Sequence, residues 1–99
     1  MVQHNFLEHM ALQIKKKKKT LKYLNQVAQV LKNNNIKYID TAQSYKVENL
    51  IGKTKLKNFD FITKVYITKK FNEKKILISL NKSLRHLRIK KFYAILIHD

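Results

Sequence analysis

Between Leu21 and Asn33 the apolar residues fall at Leu21, Leu24, Ala28 and Leu31, with Val27 beside them. That i, i+3, i+7, i+10 spacing is the period of a helix buried along one side. Thr20 precedes the stripe, so the pattern predicts a capped helix from Leu21 to about Asn33. Asn33-Asn34-Asn35 ends it, one of the three taking the left-handed position usually held by glycine. The pattern then changes to a short apolar run, Ile36 to Ile39, closed by Asp40, which predicts a buried strand. Val47, Leu50 and Ile51 give residues 43–53 the small apolar face of a short helix, and Lys53 to Asn58 is a polar loop. Phe59 to Ile67 (FDFITKVYI) predicts a second strand, apolar at its centre apart from Lys64. Asn72 caps a helix from Glu73 to Leu87. Its Ile76, Leu80, Leu84 and Leu87 share one face, and Lys74, Lys75, Lys82 and Arg85 the other. Phe92 to Ile97 (FYAILI) is a third strand, followed by His98 and Asp99.

The order is helix, strand, short helix, strand, helix, strand, which predicts an α/β fold with a parallel sheet and crossover helices. Strands that are apolar throughout fit a sheet covered on both faces. Residues 1–14 have no clean period, and Lys15 to Lys19 is a solvated charge run on a loop or an exposed helix start, so residues 1–19 are expected to be an irregular basic lead-in. The predicted domain is residues 20–99.

Ninety-nine residues with 44% apolar content suffice for one small domain with a core. Net charge is +16, which admits a nucleic-acid or anionic-surface partner. Against that as the primary function, only Arg85 and Arg88 among 22 basic residues are arginine, and the lysines are spread along the chain. The absence of cysteine excludes disulfide and thiol chemistry. No apolar run approaches the roughly 20 residues of a membrane span. The N-terminus lacks the apolar core of a signal peptide, so a cytoplasmic protein is expected. His4 and His9 are five apart, a spacing that suits no helical metal pair.

The chemistry concentrates at strand ends. Asp40 ends the first predicted strand, Tyr45 lies on the loop after it, Lys64 lies towards the end of the second, and His98 ends the third. Parallel α/β folds build their sites on the C-terminal edge of the sheet. A lysine ammonium near a tyrosine stabilises the tyrosinate and makes the phenol a better acid. An aspartate facing the lysine keeps it charged and oriented, and a histidine on the same rim can donate a hydrogen bond to a substrate oxygen. Such a group can polarise a carbonyl and protonate the alkoxide formed at it. Each residue also has a plainer reading. Asp40 can cap the next helix, Tyr45 can pack, Lys64 can snorkel, and His98 can be a surface residue.

Three stretches carry a resemblance: IDTAQSYKVENLIGK (Ile39–Lys53), FITK (Phe61–Lys64) and SLNKSLRHLRIKKFYAILIH (Ser79–His98). They are similar to the aldo-keto reductase family's D-T-A-x-x-Y followed by E-x-x-[I/L]-G, its strand ending in T-K or S-K, and its S-L-x-x-L…Y…L-x-x-H. The resemblance implies a partial (β/α)8 TIM barrel, truncated after about the fourth barrel strand. It implies NADPH-dependent reduction of aldehydes or ketones by a tetrad of Asp40, Tyr45, Lys64 and His98. In that tetrad Tyr45 is the general acid, Lys64 and Asp40 tune it, and His98 orients the carbonyl. Asp40 is also the expected cofactor contact.

The chain departs from the family in three places. Lys46 stands where the family has glycine after its tyrosine, the glycine-rich first strand is not recognisable in residues 1–14, and the second half of the barrel is absent. That half carries most of the cofactor pocket, so the expectation is an amino-terminal portion, inactive alone, that self-associates or pairs with a complementing half-barrel. Two other function classes stay open: a non-catalytic interaction protein of reductase-like fold, and a basic nucleic-acid-binding module.

Overall fold

The computed structural model describes residues 6–41, 45–66, 70 and 72–98, apart from the side chains of Phe6, Tyr45 and His98. Sequence expectations that fall on residues 1–5, 42–44, 67–69 and 99 lie outside the described residues, His4 among them.

The first helix, α1, is Phe6–Asn33 and begins far ahead of the expected start at Leu21. Residues 6–33 contain neither glycine nor proline, and lysine is a good helix former. Repulsion between like charges one turn apart costs only a few tenths of a kcal/mol per pair, so the run Lys15 to Lys19 continues the helix instead of breaking it. Thr20 is therefore interior and not a cap; its hydroxyl donates to the Lys16 carbonyl at 2.9 Å. The predicted stripe holds: Ala28 is buried, and Leu21, Leu24, Val27 and Leu31 are half-buried. Residues 7–20 are exposed throughout. The helix ends in a Schellman turn with Asn35 at φ 58°: the Ile36 N–H donates to the Leu31 carbonyl at 3.0 Å and the Asn35 N–H to Lys32 at 3.1 Å. An asparagine does take the left-handed position.

Strand β1 is Tyr38–Asp40, followed by helix α2, Tyr45–Ile51, so Tyr45 opens a helix instead of lying on a loop. The segment read as a polar loop contains a 3-10 turn, Lys55–Asn58, capped by Thr54 and anchored by the buried Leu56. Strand β2 is Asp60–Tyr66, helix α3 is Glu73–Leu87 and strand β3 is Ala94–His98. Helix α3 has its predicted bounds. Asn72 Oδ1 accepts from the Lys75 N–H at 3.1 Å, and Arg88 closes the other end at φ 57°.

The sheet is parallel, in the order β1-β2-β3. Asp40 pairs with Ile62, and Lys64 with Leu96. Pleating sends Phe61 and Thr63 to one face, where they are 1% and 0% exposed. Leu87 of α3, also fully buried, belongs to the same small core. Helices α2 and α3 pack on each other, and α1 packs on the 3-10 turn and α2. Gly52, just past α2, permits the tightest of these approaches. A Cβ there would overlap the His86 carbonyl oxygen.

Cover on both sheet faces is not found among the described residues. Tyr38 and Leu96, on the face opposite Phe61 and Thr63, are nearly half exposed. The physical reason is layer count: the crossover segments between the strands supply helices enough for one face.

Candidate functional site at the C-terminal edge of the sheet

Asp40 is the last residue of β1, and Lys64 lies two positions beyond its register partner on β2. Alternation puts the two on the same face, and Lys64 Nζ reaches Asp40 Oδ2 at 3.1 Å. The pair expected from the strand ends therefore forms. Its surroundings differ from expectation: the Lys64 side chain is 38% exposed and the Asp40 side chain 56%. A carboxylate at the end of a buried strand is costly unless it is paired. On the open face water shares that cost, and an exposed ion pair contributes about 0–1 kcal/mol.

The other two expected residues are placed by backbone alone. Tyr45 is the first residue of α2, four positions after Thr41. His98 is the last residue of β3 and pairs with Tyr66, two positions beyond the Lys64–Leu96 pair. Both backbones therefore belong to the end of the sheet that carries Asp40, while the Tyr45 and His98 side chains lie outside the described residues.

Sequence reasoning passed over a buried carboxyl behind this edge. Glu48 of α2 is 0% exposed. Its Oε2 accepts from the Thr41 hydroxyl at 3.2 Å and its Oε1 from the Ser83 hydroxyl of α3 at 2.9 Å. Thr41 directly follows Asp40, and its N–H donates to the Ile62 carbonyl at 2.9 Å. One carboxyl thus ties α2 and α3 to the end of the strand that presents Asp40. The expected apolar face of this helix is corrected accordingly, since Val47 is 52% exposed and Glu48 points inward. The signal was present: Glu48 stands three residues before Ile51, on the same side of a helix.

At the opposite end of the open face, the Tyr38 and Tyr93 rings lie 4.7 Å apart at 46°. The hydrogen bond and charge of Tyr93, with smaller contributions from desolvation and Asp60, raise the Tyr38 phenol above its ordinary pKa. On the covered face the Thr63 hydroxyl is buried with no hydrogen-bond partner among the described residues.

The described residues fit only part of the expected nucleotide. Asp40 offers an exposed acceptor to an amide or hydroxyl. A phosphate cradle needs backbone that a phosphate can approach closely, usually at glycine. The chain's one glycine, Gly52, is occupied by its contact with α3. No cluster of three metal-binding side chains exists among the described residues, and no helix there is long and apolar enough to cross a membrane. No family model, curated protein or solved structure matches the chain.

Proposed function

We propose that the chain carries the acid–base portion of a carbonyl-reducing barrel of the aldo-keto reductase kind, with NADPH as hydride donor. The observation that carries the reading is the Asp40–Lys64 pair, 3.1 Å apart where adjacent parallel strands end. The backbones of Tyr45 and His98 at the same end support it. In this reading Tyr45 donates the proton to the oxygen of the reduced carbonyl. Lys64 favours that donation by stabilising the tyrosinate left behind, Asp40 holds the Lys64 ammonium in place, and His98 hydrogen-bonds the carbonyl oxygen. The dinucleotide phosphates find no cradle beside Asp40 in the residues described, so the reading requires further half-barrel sequence, in the same polypeptide or another, to hold them.

Two measurements test this. Nicotinamide fluorescence of NADPH titrated with the 99-residue chain is expected to show no binding at micromolar concentrations; tight binding would overturn the need for a second half. Mixing or co-expressing the chain with a carboxy-terminal half-barrel of an aldo-keto reductase is expected to give carbonyl-dependent oxidation of NADPH. Tyr45→Phe should abolish that turnover, and an unchanged rate would remove Tyr45 from its role.

A further inference from the structure

Each helix runs back against the parallel strands, so the ends of α1, α2 and α3 gather at the sheet edge opposite Asp40. Two clefts open there. One, of about 470 Å³, is lined by Lys32, Lys37, Lys55 and Asp60, together with Ile36 and Phe59. The other, of about 280 Å³, is lined by Lys53, Lys55, Lys57 and Arg88 with Asn25 and Asn58. Lys55 and Asn58 line both, so the two clefts share a wall and together make up a basic groove. Its walls hold six cations and one carboxylate. Cations do collect at helix C-termini, but a helix end presents only about half a negative charge, so the ends of α1 and α3 account for few of them. Five of the lysines that looked evenly spread along the sequence are gathered here by the fold.

We infer that this groove holds the sugar–phosphate backbone of a single-stranded nucleic acid, with a base set against Phe59 and Ile36. Lysine, arginine and side-chain amides are the groups that contact phosphate oxygens. A cationic groove with an aromatic wall is the arrangement that binds single strands without sequence preference. Ile36 is 45% exposed and Phe59 half-buried, so both offer surface to a base. A lipid bilayer is a broad flat surface and would meet neither wall of a concave groove. The electrostatics agree. Lys17 of α1 beside Lys53, then burial and Arg88, lower the Lys53 ammonium below its ordinary pKa, which marks a positive potential that a polyanion relieves.

The test is fluorescence anisotropy of a labelled twelve-nucleotide oligouridylate against the full chain in rising salt. Three or four phosphates held in the groove give a log–log salt slope of about −2 to −3, and so a 20- to 50-fold loss of affinity for a fourfold rise in salt. The variant Lys53→Gln/Lys55→Gln/Lys57→Gln changes only exposed side chains, and its slope should be shallower by about 2. Replacing Lys15, Lys16, Lys18 and Lys19 with glutamine, which leaves Lys17 beside Lys53, removes more charge and should cost less affinity. If it costs as much, net charge alone binds the probe and the groove is overturned. Phe59→Leu should weaken oligouridylate at least about fivefold and leave inorganic polyphosphate unaffected, with Phe59→Tyr restoring the difference. Equal losses for both probes would overturn the base contact. Displacement of the probe by phosphatidylserine vesicles at matched charge would overturn the nucleic-acid assignment in favour of a lipid surface.

Discussion

Replacing Glu48 with alanine should cost the fold more than any change at the exposed ion pair it supports. Glu48 is fully buried and accepts two hydroxyl hydrogen bonds, from Thr41 and from Ser83. Breaking a hydrogen bond whose partner stays buried costs about 1–3 kcal/mol. Two such bonds, with the void left by a truncated side chain, put Glu48→Ala at roughly 3–5 kcal/mol. A domain of this size has about 5–15 kcal/mol in all, so the variant sits near the edge of folding. Glu48→Gln keeps the shape and one carbonyl oxygen, and the hydroxyls can rotate to meet its amide; about 1 kcal/mol is expected. Urea unfolding followed by far-ultraviolet circular dichroism suits a chain without tryptophan. With a slope near 1 kcal/mol per molar urea, the alanine midpoint should fall by about 3–5 M and the glutamine midpoint by about 1 M. An alanine variant within 0.5 kcal/mol of the parent, roughly the range of a surface substitution, would refute the buried carboxyl link.

Other variants test the neighbouring features. Gly52→Ala forces a Cβ against the backbone of His86 and Leu87, where nothing flexible can yield; a loss of about 3 kcal/mol in the same urea assay is expected. Thr63→Val removes a buried hydroxyl that has no partner, so it should stabilise by about 1 kcal/mol, and a destabilised variant would show the hydroxyl to be satisfied. A double-mutant cycle on Asp40→Asn and Lys64→Gln should give a coupling below about 1 kcal/mol, so any larger loss of turnover in a completed barrel is chemical and not a folding defect. In alkaline titration the Tyr38 phenol should ionise above its ordinary 10.0 and move back down in Tyr93→Phe. The native state holds that proton more tightly than the unfolded chain, so Tyr38's contribution makes stability decline as pH rises from 10.0 through the raised native value.

The elements with internal punctuation were legible from the sequence. Asn72 and the Ile76-Leu80-Leu84-Leu87 stripe located α3 at both ends, and the asparagine triplet located the end of α1. The start of α1 was not legible, because a lysine run reads equally well as a solvated loop and as a helix exposed all round. The 3-10 turn was hidden because one buried leucine, Leu56, among lysines makes no period. Strand ends sufficed to align Asp40 and Lys64, since a parallel register carries sequence position directly into space. Their exposure was not legible. An apolar strand such as β3 looks the same whether one face or two are covered, and only the helices present in the fold decide it. Glu48 was misjudged for a related reason: a carboxyl is scored as polar by any hydropathy pattern, and its burial depends on Thr41 and Ser83 arriving from other elements.

The two left-handed positions, Asn35 and Arg88, bear on the denatured ensemble. The one glycine sits at a helix contact and not at either of them. A non-glycine residue at positive φ carries a native-state cost of order 1 kcal/mol. Glycine there would instead widen the conformational freedom of the unfolded chain and raise the entropy lost on folding by a comparable amount. The strain at Asn35 and Arg88 is thus set against a narrower ensemble to fold from, and the same argument extends to a chain with a single glycine along its whole length. Its stability is partly a property of the states it does not visit when unfolded.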